Sequence, residues 1–230
     1  MCNCGPESLM IIVRIFPKYE TQGGWNNILN NMDRMSGKNC SPLYLSQREE
    51  DHFLSLIYEA EDLDSLTDIL LKNIPSLLRP EKTRTIPLLR PVFFKAPKDR
   101  QANLGRYQVA LRTRPEDTEN IFNHILSLDY PNDAFPTYAA YSFGEDDILT
   151  SMLSTSRNRL KQFVRENLES QKGVDSVEVS YINRSVRIAQ AEMWKKYRES
   201  RYVVKSTRPE EFDFLEYAAG TGAFREELET

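Results

Sequence analysis

Cysteine and histidine are scarce in these 230 residues: three of the first (Cys2, Cys4 and Cys40) and two of the second (His52 and His124). An odd, sparse cysteine count excludes a disulfide framework. Cys2 and Cys4 form a Cys-x-Cys, but a tetrahedral metal site needs two further ligands, so no metal is expected. No apolar run approaches the roughly 18 residues that would span a bilayer. The start, MCNCGPESLMIIVRIFP, has no basic n-region of a signal peptide, and a cytoplasmic protein with no membrane partner is expected. Net charge is −4, which gives no general attraction to a nucleic-acid backbone, so direct nucleic-acid binding is not expected. Gly-x-Ser-x-Gly, the Walker A loop, Gly-x-Gly-x-x-Gly and His-Glu-x-x-His are all missing, and no residue is assigned a catalytic role.

What the chain does have is a repeated alternation of element types. Ser8–Phe16 is short, apolar and β-branched, and reads as a buried strand. Trp25, Ile28, Leu29, Met32 and Met35 recur at helical spacing. Ser41–Gln47 and His52–Ala60 read as two strands joined by the charged turn Arg48–Asp51. Asp62 or Asp64 can cap a helix carrying Leu66, Ile69, Leu70 and Ile74. Lys82–Phe94 follows as an edge or interrupted strand, because Pro87 and Pro91 cannot donate to a ladder.

After a polar stretch, Lys95–Gly105, the order restarts. Arg106–Thr113 reads as a strand, and Pro115 opens a helix with Ile121, Phe122, Ile125 and Leu128 on one face. The strand pair around Tyr138 and Leu153 is joined by the acidic turn Gly144-Glu145-Asp146-Asp147. A helix capped near Ser154–Ser156 ends at Gly173, and Asp175–Ile182 is the last strand. The expected fold is α+β: two tandem ferredoxin-like βαββαβ units with antiparallel sheets, plus a C-terminal helical arm. The expected segments are a first unit over residues 1–94, a linker over 95–105, a second unit over 106–185, and a helix with an acidic arm over 186–230. A bare sheet face would be an exposed apolar patch, so the sheets are expected to pair, either within the chain or in a homo-oligomer helped by the arm. Lys195, Lys196, Arg198, Arg201, Lys205 and Arg208 form a basic cluster ahead of that acidic arm.

GEDDILTSML, a capped helix and then GVDSVEVSYI together resemble the effector-binding domain of the leucine-responsive and asparagine-operon regulators, the Lrp/AsnC family. Gly144 and Asp147 match its turn motif, and Gly173-Val174 match the Gly-Val before its final strand. Asp146 stands where the family has tyrosine, and the family's helix-turn-helix is missing. The resemblance implies a stand-alone sensor of a small-molecule effector, without a cofactor and not binding DNA by itself. The ligand would sit at Gly144, Glu145, Asp146 and Asp147, with Arg48 and Asp51 as the weaker counterparts in the first half. The alternative is an enzyme of the dimeric α/β-barrel type, either a chlorite-dismutase-like haem protein with His124 as the axial ligand or a small monooxygenase.

Overall fold

A computed structural model describes residues 9–18, 23–50, 53–142, 144–188 and 203–204. The chain divides into two compact units, one of Met1–Leu89 with Asn183–Ala189, the other of Arg90–Ile182 with Gln190–Thr230. The first contains β1 (Leu9–Phe16), α1 (Gly23–Leu29), β2 (Cys40–Arg48), β3 (Leu54–Ala60), a π-helical turn (Ile69–Asn73) that runs into α2 (Ile74–Leu78), and the start of β4 (Lys82–Phe94). The second contains the end of β4, then β5 (Gly105–Thr113), α3 (Thr118–Ser127), β6 (Ala134–Tyr141), β7 (Ile148–Ser154), α4 (Arg157–Val164) with its own π-helical turn (Arg165–Glu169), β8 (Val174–Arg187) and the short β9 (Val203–Val204).

In the first unit β1 lies antiparallel between β3 and β4, and β2 pairs with the other side of β3. In the second, β5 lies antiparallel between β7 and β8, and β6 pairs with β7. The pairing does not stop at the end of either set. The order β1-β3-β2-β8-β5-β7-β6-β4 is continuous, and β4 pairs back onto β1. The expected pair of tandem ferredoxin-like units, each with its own sheet, is therefore corrected: eight strands share one closed antiparallel order, that of a β-barrel. The reason lies in two strands of 13 and 14 residues. β4 and β8 are too long for one unit, and each leaves its own unit part-way to serve the other. β4 crosses over at Leu89–Arg90, where Arg90 has φ of 49°. The expected C-terminal helical arm and basic cluster lie outside the described residues, apart from β9, which pairs parallel with Phe93–Phe94.

Each unit has one face of its sheet under helices. Ile11, Val13 and Ile15 of β1 join Leu54, Leu56 and Tyr58 of β3 against Trp25, Ile28, Ile69 and Ile74. In the second unit Tyr107, Val109 and Leu111 of β5 pack with Ile121, Phe122, Ile125, Leu160 and Phe163. The helix ends are built locally. Ser156 Oγ accepts the Arg159 N–H at 3.1 Å, an N-cap on α4. Arg159 also binds both carboxylate oxygens of Asp133, at 2.7 and 3.2 Å, which ties α4 to the start of β6. That ion pair holds the Arg159 guanidinium more firmly protonated than usual. Gly173 has φ of 92°, and a Cβ there would overlap the Asp117 side chain.

Candidate functional site

Because successive side chains alternate across a strand, the partners that pair directly share a face. The face of the first unit turned away from its helices can thus be written level by level. At one end stand Lys82 and Phe16, cross-strand partners, beside Phe53 and Arg48. The next level is Arg84, Arg14, Ser55 and Ser46. Below it come Ile86, Ile12, Ile57 and Tyr44, then Leu88 and Met10. The face has a cationic end with two hydroxyls and two aromatic rings, above an apolar floor.

The cations are organised by the rings. The Phe16 and Phe53 centroids are 5.1 Å apart. Arg48 Cζ lies 4.4 Å and Arg14 Cζ 5.4 Å from the Phe53 centroid, while Lys82 Nζ lies 4.6 Å and Arg84 Cζ 5.3 Å from that of Phe16. Such contacts are worth about 0.5–1 kcal/mol each when exposed and more when desolvated. Arg14 is only 6% exposed, so its charge sits deep on this face, while Lys82 at the strand end is exposed. The Arg48 N–H donates to the Phe53 carbonyl at 3.1 Å, which closes the β2–β3 turn and fixes both side chains at the same level.

Arg48, expected as a weak counterpart of the acidic turn, thus belongs to this cluster; Asp51 and His52 lie outside the described residues. Arg14, Phe16, Phe53, Lys82 and Arg84 were missed by the sequence reading. One signal was available: Arg14 is the single charge in the otherwise apolar strand LMIIVRIF.

The turn of the second unit has a different use. Asp147 Oδ2 accepts the Thr113 N–H at 2.7 Å, and the Asp147 N–H donates to the Leu111 carbonyl at 2.8 Å. The Ser142 N–H donates to the Asp147 carbonyl at 2.8 Å, and the Ser142 hydroxyl to the Asp146 carbonyl at 3.3 Å. Thr113 and Thr118 share a buried hydroxyl contact of 2.7 Å. Asp147 thereby fastens the β6–β7 turn to the irregular end of β5. Gly144 has φ of 153° with open space around its Cβ position, and Glu145 follows it at the surface.

His124 sits on α3, and its Nε2 is 2.9 Å from the Asn167 carbonyl in the π-helical turn. Among the described residues no group of three or more His, Cys, Asp or Glu side chains could hold a metal ion, and no helix is long and apolar enough to cross a membrane. Cys40 is a buried free thiol bonded to the Ser65 carbonyl at 3.1 Å, and burial pushes its pKa up.

No family model matches the sequence, and no curated protein matches it. Solved structures do. The siroheme decarboxylase NirDL aligns at 10% identity over 83% of this chain and 78% of its own, with a TM-score of 0.54, alone and in co-complex with an iron-uroporphyrin III analogue. A chlorite dismutase from Candidatus Nitrospira defluvii aligns at 11% identity over 77% of this chain and 92% of its own, TM-score 0.49. An anthrone oxidase-like protein aligns at 6% over 79% and 94%, TM-score 0.49. At these identities the similarity is one of fold. It corrects the expected membership in the Lrp/AsnC effector domains: no family model places the chain there, and the solved structures that align with it bear the names of a siroheme decarboxylase, a chlorite dismutase and an anthrone oxidase-like protein. The two motifs that carried that resemblance have local work instead. Gly173 clears Asp117 and Asp147 holds Thr113, so both satisfy the backbone of the fold.

Proposed function

We propose that the chain is an enzyme of the haem-associated α/β-barrel type, and that the helix-free face of its first unit binds a planar, carboxylate-bearing ligand of the tetrapyrrole class. The observation that carries this reading is the stacking of levels on that face. Met10, Ile12 and Ile57 form apolar levels that are buried in the ligand-free chain, and above them Arg14, Arg84, Lys82 and Arg48 gather four cations around the Phe16 and Phe53 rings, a charge that suits carboxylates. Guanidinium groups suit this role because they bind carboxylates in a bidentate manner. The structural likeness to a siroheme decarboxylase crystallised with an iron-uroporphyrin analogue supports the same ligand class.

The residues fit the periphery of such a ligand, but His124 does not fit its metal. His124 belongs to the helix layer, and its Nε2 is engaged by the Asn167 carbonyl. When bound, an iron tetrapyrrole would supply redox chemistry; this chain's residues would grip its carboxylates, exclude water with Ile12, Ile57 and Ile86, and leave the Arg14 charge fixed in place. The effector-sensor reading has less behind it, since the Asp147 carboxylate is already committed to Thr113.

Titration with haem and with iron-uroporphyrin III, followed by the Soret band, tests the proposal. Saturable binding is expected, weakened at least tenfold in an Arg14→Gln/Arg84→Gln variant of unchanged far-UV circular dichroism. Equal binding by that variant, or none by the wild type, would sink it.

A further inference from the structure

We draw no further inference here: the strongest candidate, the surface patch that the exposed Leu63 and Leu71 form with the exposed acids Asp62, Asp64 and Asp68 along the helical run leading into α2, carries nothing because nothing in the structure shows what covers it.

Discussion

Arg14 of β1 and Arg84 of β4 are direct partners across the antiparallel ladder, and the Arg14 side chain is 6% exposed. Like charges placed directly opposite cost a few tenths of a kcal/mol to about 1 kcal/mol. Replacing Arg84 by Gln removes both that repulsion and the 5.3 Å contact with the Phe16 ring, so the stability of the ligand-free protein should change by less than about 1 kcal/mol while a carboxylate ligand binds more weakly. Chemical denaturation with and without haem measures both, and a larger loss of stability without ligand would mean that Arg84 is a structural residue of the fold.

Asp147 should matter to folding and not to ligand binding. Its carboxylate receives the Thr113 N–H at 2.7 Å, a charge-assisted bond. Asp147→Ala, which removes the acceptor, should destabilise by about 1.5–3 kcal/mol, with an unchanged Soret titration. Altered ligand affinity in a folded variant would return the turn to candidacy as a binding site.

The two described left-handed glycines should respond unequally to alanine. At Gly173 a Cβ meets Asp117, and φ is 92°; at Gly144 nothing lies within 4 Å and φ is 153°. Gly173→Ala should cost about 1–3 kcal/mol from backbone strain plus the displacement of Asp117, and Gly144→Ala clearly less. Urea midpoints rank them directly.

Burial pushes the phenols of Tyr58 and Tyr130 well above their ordinary value near 10. In the unfolded chain both ionise near that value, while in the folded chain they stay protonated. Their contribution is therefore complete below about pH 10 and is lost as pH rises beyond it, because the unfolded chain alone releases the protons. Stability should be level below that point and fall steeply above it. The Cys40 thiol, also pushed up by burial, should resist alkylation in the native protein and react on unfolding, read by peptide mass mapping.

His124→Ala removes the contact with the Asn167 carbonyl and should cost about 1 kcal/mol. The Soret spectrum of a tetrapyrrole complex should be unchanged. A collapsed Soret band in a folded variant would identify His124 as an axial ligand after all.

The chain's local chemistry was legible in advance. β-Branched runs such as LMIIVRIF and helical spacings such as Ile121, Phe122 and Ile125 marked the elements, because side-chain period follows directly from backbone geometry. Gly173 was expected to end the helix, but the helix stops earlier, at Ser170, and Gly173 turns the chain into β8. The candidate site was not legible. Arg48 was picked out through its turn, but Arg14 in β1, Arg84 in β4 and Phe53 just ahead of β3 come from three distant segments, and nothing local records which segment lies beside which.

The sequence by itself determined where strands and helices form and which residues of each strand share a face, since alternation and capping act over a few residues. Tertiary structure alone decided that β4 and β8 each serve both units, closing eight strands into one order where two separate sheets were expected. It also decided that Arg14 meets Arg84 and that Tyr138 and Gln108 both pair with Ser151, because strand register is fixed by pairing between distant segments, and a shift of one residue would have turned every one of those side chains to the opposite face.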